Sequence, residues 1–278
     1  MRVFVVLPAA ITALLTLTGT SAVSARQAAP SPAATAPAAI AQCARSWTGR
    51  DSEITAYLAS AAVTSMEAVP IGVTKPQRGT FAPGGPVARF AWKALPPARR
   101  NGFPESYKAE IAAYHLDRLL GMDMVPPVVE RTIDGKVGAA VLWIEGTTGW
   151  IKDKPAQGPE PEWSKQISRM KLFDQLIANT DRNQGNLLYD RDWHLFLIDH
   201  SRAFTTRTSA DGIAAINTVD RRVWQKMDAL TADDLSRALG DWLTPNEQKA
   251  LLARRDRMRQ AIATLVKQKG AGRVFLEE

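Results

Sequence analysis

The 278-residue chain predicts an α+β protein of two lobes, the first rich in strands and the second mainly helical. Three observations carry that expectation. Strand-like runs at residues 69–73, 87–95 and 137–144 enclose one amphipathic helical pattern at 105–120. Trp163, Ile167, Met170, Phe173 and Ile177 then repeat at three-to-four spacing, as a buried helix does. Between that helix and two further short strands lies a polar loop, Asn179-Thr180-Asp181-Arg182-Asn183-Gln184-Gly185-Asn186. A hinge near Glu145-Gly146 divides a first lobe over residues 46–145 from a second over 146–278.

The start of the chain stands apart. Arg2, the apolar residues 3–18 and the small residues Val23-Ser24-Ala25 have the layout of a cleaved signal peptide over residues 1–25. Pro8, Thr12, Thr16 and Gly19 weaken the alternative, a membrane anchor, and no later segment reaches spanning length. The expected protein is therefore exported, periplasmic or extracellular, with no transmembrane segment in the mature chain. Residues 26–45, rich in Ala, Pro, Ser and Thr, bury too little surface to offset their ordering entropy and form a flexible leader. Cys43 is the only cysteine, which excludes an intramolecular disulfide and a cysteine zinc cluster. The net charge of +7 gathers toward the end of the chain, at Arg254, Arg255, Arg257, Arg259, Lys267 and Lys269. A solvated helix face accounts for that cluster, with an anionic partner as the alternative.

In order, Asp51-Ser52-Glu53 opens a helical pattern through Leu58, Ala62 and Met66, followed by a strand over 69–73. Lys75-Pro76-Gln77-Arg78-Gly79-Thr80 and Gly84-Gly85-Pro86 are turns, and the strand over 87–95 carries Lys93. The helix over 105–120 has Ile111, Leu116, Leu119 and Leu120 on its apolar side and Gly121 at its end. Asp134-Gly135 signals a hairpin that returns over 137–144. The buried helix ends at Asn179, and strands over 187–189 and 195–198 flank Asp190-Arg191-Asp192. Thr244-Pro245-Asn246-Glu247 is a capping box with proline at the first helical position, opening a helix through Leu251, Met258, Ile262 and Leu265.

A polar helix exit explains most stretches like 179–186, since Asp and Asn bond readily to nearby backbone. Here the loop leaves a buried helix, and a following strand delivers Asp199 into a second loop. Phosphoryl transfer uses an aspartate to orient the attacking hydroxyl, an asparagine five positions on to hold a metal, and a second aspartate to bridge metal and phosphates. Asp181, Asn186 and Asp199 have that order and spacing, and oxygen ligands of this kind suit Mg²⁺. Lys93 stands where an ammonium could meet phosphates, and Glu110 on the next helix could hold it by a salt bridge.

Asn179-Thr180-Asp181-Arg182 with Asn186, then Leu197-Ile198-Asp199-His200, resembles the catalytic and metal loops of the atypical kinase superfamily. Phosphatidylinositol 3-/4-kinases, HipA-type kinases and Golgi-type casein kinases are the members it is most similar to, and the likeness spans residues 69–204. It implies a two-lobed protein-kinase-like fold binding Mg²⁺ and ATP or another nucleotide. Within it Asp181 is the catalytic base, Asn186 and Asp199 are metal ligands, Lys93 is the phosphate lysine and Glu110 its partner. Residues 143–145, ending in Glu145, face the adenine, and the turn containing Gly79 covers the phosphates. The chain departs from the pattern at Asn183, where several relatives have histidine, at His200-Ser201 after the metal aspartate, and in its sparse glycine loop.

The implied activity is transfer of phosphate from a Mg-bound nucleotide to a hydroxyl of an unknown protein, lipid or small molecule. The alternative is a kinase-fold binding or scaffold protein without turnover, which an exported location favours because ATP is scarce there. Retention of all three oxygen donors favours activity. A hydrolase lacks support: no Gly-x-Ser-x-Gly elbow occurs, and His200 and Ser201, adjacent in an extended segment, point apart. No histidine pair has metal-site spacing, and nucleic-acid binding rests on the basic C-terminal residues alone.

Overall fold

The structure, a computed structural model, describes residues 45–70, 76–99, 104–155, 157–210, 212 and 216–277. The expected signal peptide and the leader up to residue 44, Cys43 included, lie outside the described residues.

The first lobe is built on a five-stranded antiparallel sheet. Its strands are β1 (Val63–Ala68), β2 (Gln77–Phe81), β3 (Arg89–Lys93), β4 (Val128–Ile133) and β5 (Lys136–Leu142), in the order β1-β2-β3-β5-β4. Side chains alternate across a sheet, and β3 uses both faces. Phe90 and Trp92 join Trp47, Ile54 and Leu58 of the segment containing α1 (Asp51–Ser60) in one apolar cluster. Ala91 and Lys93 take the other face, where β5 sets Val141 and Ala139 beside them and α2 (Tyr107–Leu120) covers the sheet. Helix α2 starts at Ser106, whose Oγ accepts the Lys108 N–H at 3.2 Å, and ends at Gly121 with φ of 63°, a left-handed conformation that glycine adopts freely. The Asp134-Gly135 hairpin joins β4 to β5.

Two expectations in this lobe are corrected. The helical pattern through Met66 stops at Ser60, and Val63–Ala68 is strand β1; spacing by four at Leu58, Ala62 and Met66 mimics a helix, but pairing with β2 decides. Only Val69 and Pro70 of the strand expected over 69–73 are described, and neither is in a strand. Gly79 is not in a turn. It lies within β2, paired to Met66 on one side and Phe90 on the other, and a Cβ there would come within 2.1 Å of the Phe90 ring. Gly79 makes room for an aromatic ring, so its assignment as a phosphate-covering residue is withdrawn. The Val69 N–H donates to the Pro76 carbonyl at 3.0 Å.

The second lobe holds a small sheet, β6 (Thr147–Gly149), β7 (Leu187–Asp190) and β8 (Leu195–Leu197), against helices α3 (Glu162–Ile177), α4 (Arg221–Asp228), α5 (Ala232–Leu239) and α6 (Pro245–Lys269). Strand β9 (Val219–Asp220) pairs in parallel with β10 (Phe275–Leu276), which follows the short α7 (Ala271–Val274). Leu172, Phe173 and Leu176 of α3 meet Leu195, Leu197, Phe204, Leu251 and Met258 in the larger apolar core. The expected capping box is present at the start of α6. Helix α3 stops two residues before Asn179, because Ala178 turns left-handed at φ 51°. Among the described residues, no helix is long and apolar enough to cross a membrane.

The basic C-terminal residues are not simply a solvated face. Arg254 is fully buried, donating to the carbonyls of Leu176 at 2.8 Å, Thr205 at 2.9 Å and Arg207, and burial lowers its pKa to about 10. Arg255 donates to the Leu230 carbonyl and Arg259 pairs with Asp228 at 2.5 Å.

Close packing against β3 yields one test. A Cβ on Gly138 of β5 would stand 2.4 Å from the Lys93 carbonyl oxygen, a backbone atom that cannot step aside. Gly138→Ala is expected to destabilise the fold by roughly 1–3 kcal/mol, as overpacking does, seen as a lowered urea midpoint with unchanged slope.

Candidate active site

Three elements meet at the Lys93 ammonium. Its Nζ donates to Glu110 Oε1 of α2 at 2.6 Å and to Asp199 Oδ1, just beyond β8, at 2.8 Å. Lys93 is 8% exposed and Glu110 2%. Burial opposes the charge on Lys93, but the two carboxylates outweigh it and raise the lysine above its ordinary value. Burial likewise works against the Asp199 carboxylate, yet Lys93 and a hydrogen bond from Ser201 Oγ at 3.0 Å pull its pKa down to about 2. Asp199 has φ of 60°, a left-handed conformation that aspartate tolerates better than most residues. That twist turns its carboxylate back toward β3 as soon as β8 ends.

Helix α2 is tied to the loop bearing Asp199 at its start and, through residues 124–125, to β8 at its far end. The Ser106 N–H donates to the Ser201 carbonyl at 2.9 Å, and the His200 N–H donates to Glu110 Oε2 at 3.0 Å. At the far end, buried Asp117 accepts the N–H groups of Met124 and Val125 at 3.1 and 3.2 Å, while the Leu197 N–H of β8 donates to the Met124 carbonyl at 2.9 Å.

The loop that carries Asp181 and Asn186 is held from beneath by Arg182. Its Nε and Nη2 grip Asp174 of α3 at 2.9 and 3.1 Å; its Nη1 donates to the carbonyls of Asn186 and Ile198 at 2.8 and 2.7 Å. Nη2 also meets His200 Nε2 at 2.8 Å. Burial, and the nearby charges of Arg182 and Lys93, push the His200 imidazole well below its ordinary pKa, so Nε2 is an acceptor for the guanidinium. One buried arginine thus joins α3, the Asp181–Asn186 loop and the Asp199 loop. Asp181 itself is half-buried, and Arg202 Nη1 stands 3.4 Å from its Oδ2.

A cavity of about 520 Å³ is lined by Lys93, Asn186 and Asp199 at one end and by residues 143–147 at the other, with Val69 and Pro76 at its rim. Ala91, Val141, Leu142, Ile144, Leu188 and Ile198 supply apolar walls. At residues 143–145 the Trp143 N–H is used by the Arg89 carbonyl at 3.1 Å, and the Ile144 carbonyl accepts Thr147 Oγ1 at 3.1 Å. The Glu145 carboxylate pairs with Arg89, so this residue can offer a ligand only its backbone. Asn186 Nδ2 donates to the Asp181 carbonyl at 2.8 Å, which leaves its amide oxygen for a ligand. Asp199 Oδ1 is occupied, while Oδ2 makes no hydrogen bond among the described residues. One carboxylate and one amide oxygen form a donor set that fits a hard divalent cation.

The structure therefore brings Lys93, Glu110, Asn186 and Asp199 together, with Asp181 on the same loop as Asn186, and keeps Gly79 away. Sequence reading missed the scaffold: Asp117, Asp174 and Gly138 carry no motif, and Arg182 was noticed only for its place in the loop. A further carboxylate–histidine group, Asp190, Asp192 and His194, comes within 4.8 Å. Asp190 there accepts the N–H groups of Asp192 and His194 and the His194 ring, an internal turn. A second cavity of about 610 Å³ lies between the start of α2 and the connection from α5 to α6. Of its charged groups, Arg99 pairs with Glu247 at 2.6 Å and Lys108 donates to the Asp241 carbonyl at 3.0 Å.

No protein-family model matches the chain. Among solved structures, it is similar to hydra Fam20 with sugar, with a TM-score of 0.65 and 19% identity over 81% of this chain and 91% of that one. It is also similar to the Golgi casein kinase with Mn/ADP bound, with a TM-score of 0.62 and 14% identity over 81% of this chain and 78% of that one. At these identities the likeness is one of fold, and the chain shares the two-lobed, kinase-like fold of these structures. In sequence it matches Protein Rv2133c of Mycobacterium tuberculosis, 24% identical over 131 residues, 35% of this chain and 47% of that protein. The match thus spans about half the length of that relative.

The Arg182 network predicts a measurable cost. Arg182→Ala leaves the Asp174 carboxylate buried without its cation and is expected to destabilise the protein by about 3–5 kcal/mol. Asp174→Asn/Arg182→Met, which removes both charges, is expected to recover most of that loss in the same thermal unfolding assay.

Proposed function

We propose that this protein is a kinase that transfers a phosphoryl group from a divalent-metal-bound nucleotide, ATP with Mg²⁺, to a hydroxyl acceptor. The observation that carries the reading is the convergence of Lys93, Asn186 and Asp199 on one end of a nucleotide-sized cavity, with Glu110 buried behind Lys93 and Asp181 on the loop of Asn186. The fold shared with the Golgi casein kinase, whose solved structure has Mn/ADP bound, supports it.

In this reading Lys93 meets the phosphates and Glu110 fixes its direction. Asn186 and Asp199 hold the cation, which neutralises charge on the phosphate oxygens. The adenine lies between the apolar walls against the backbone of Glu145. Asp181 orients the acceptor hydroxyl. The acceptor oxygen bonds to the terminal phosphorus, and the bond from phosphorus to the bridging oxygen breaks. Its electron pair leaves on the nucleoside diphosphate, and the acceptor proton passes to the Asp181 carboxylate. Catalysis is then mostly placement and electrostatics, because little covalent chemistry falls to the protein. The signal-peptide pattern of residues 1–25 supports an exported site of action.

Binding and turnover separate in two measurements. Mg²⁺–ATP at a hundredfold excess over its Kd is expected to stabilise the protein by about 2.7 kcal/mol, read as a thermal shift that Asp199→Ala abolishes. Labelled phosphate from ATP should then appear on an acceptor, or as free phosphate with water as acceptor, and Asp181→Asn should stop the transfer while keeping the shift. A shift without transfer in the wild type points to the binding protein without turnover. No shift with any nucleotide defeats the kinase reading and favours a scaffold.

A further inference from the structure

Resting on that reading, we propose that Arg202, which here pairs with Asp181 and Glu105, is the cation that stabilises the phosphoryl group in flight. The charge spread over the three equatorial oxygens of a phosphoryl group in transfer calls for positive charge at the point of transfer. The Asp181–Asn186 loop does not supply it. Its sole cation, Arg182, is buried, with its guanidinium engaged by Asp174, two backbone carbonyls and His200. Lys93 sits deeper, held between Glu110 and Asp199.

Arg202 has the position these two lack. It follows Asp199 by three residues, and its Nη1 lies 3.4 Å from Asp181 Oδ2. A hydroxyl poised for attack must itself lie within hydrogen-bond reach of Asp181, and the phosphorus is the next atom beyond it. A guanidinium beside the same carboxylate is therefore next to the acceptor oxygen's side of the phosphoryl group. Its other face is held by Glu105, through Nε at 3.0 Å and Nη2 at 2.9 Å. Glu105 is almost fully buried, whereas the Arg202 side chain is 32% exposed. The arginine is thus anchored at its back and open at its front, and the long contact to Asp181 is the one a ligand can replace. A planar fork of donors suits the oxygens of a phosphoryl group better than a lysine does.

Binding of a transition-state mimic tests this without an acceptor. Mn²⁺–ADP affinity is measured by thermal shift and titration, with and without aluminium fluoride, for the wild type, Arg202→Ala and Glu105→Gln/Arg202→Ala. The double variant removes the buried carboxylate that the single change strands, so a folded protein is available in either case. The wild type is expected to bind ADP about 100-fold tighter with aluminium fluoride, the low end for such mimics. Both variants are expected to keep ADP affinity within about threefold and lose that gain, while Arg202→Lys keeps part of it. A variant that retains the full gain, or a wild type that binds ADP and gains nothing, overturns the role of Arg202 and leaves the nucleotide site standing. Absence of ADP binding in the wild type overturns the kinase reading itself, and this one with it.

Discussion

A lysine ammonium cannot be buried without partners, and that constraint organises the centre of this molecule. Removing one charge of a buried pair commonly costs several kcal/mol, so the Lys93 position requires Glu110 and Asp199 to be in place together. They come from 17 and 106 residues away along the chain. Much of the surrounding architecture can be read as what keeps these distances. Gly138 lets β5 close on the strand that carries Lys93. Ser106 and the Asp117 carboxylate fix α2 at its two ends, and the left-handed Asp199 aims its carboxylate inward. The interaction that stabilises the centre of the fold is thus made by the same atoms to which the proposed function assigns phosphates and metal.

The parts legible in the sequence are those whose signal is local. Helix α2 announced itself through apolar spacing and Gly121, and α6 through its capping box. The Asp181 to Asn186 spacing, with Asp199 after a short strand, gave the centre of the site because those residues share one hairpin. What stayed hidden depends on distant partners. Nothing around Arg254 says that its guanidinium will be buried among carbonyls from α3 and from residues 205 and 207. Arg182 reads as an exposed loop residue until Asp174 and Ile198 are placed around it. The reading of Gly79 failed for a similar reason: glycine suggests a turn, but here the ring of Phe90, eleven residues on, takes the space of its side chain.

The distribution of charge bears on how the basic character of the chain is understood. A net charge of +7 invites an anionic partner. Yet Arg99, Arg131, Arg182, Arg254 and Arg255 all donate to backbone carbonyls. Arginine acts here as internal cement between loops and helix ends, a use for which its five donors are suited. Part of the positive excess is therefore consistent with the fold alone. The fold in turn does not fix the chemistry, since one scaffold hosts many functions. That is why Asp181, Asn186 and Asp199 carry more of the functional argument than the likeness in shape.

Arg254 also has a consequence for the order in which the molecule is made. It stands 49 residues after Thr205, whose carbonyl it holds, and its partners include the last turn of α3. A ribosome that has finished Arg202 has already made Lys93, Glu110, Asp181, Asn186 and Asp199, so every member of the candidate site exists on the nascent chain. The pin beneath residues 205–207 does not exist until α6 has been synthesised past its second turn. The backbone that follows the Asp199 loop thus waits for its support on a helix that lines no part of the cavity, and a chain interrupted before Arg254 would hold every candidate group while residues 205 and 207 lack the guanidinium that their carbonyls accept.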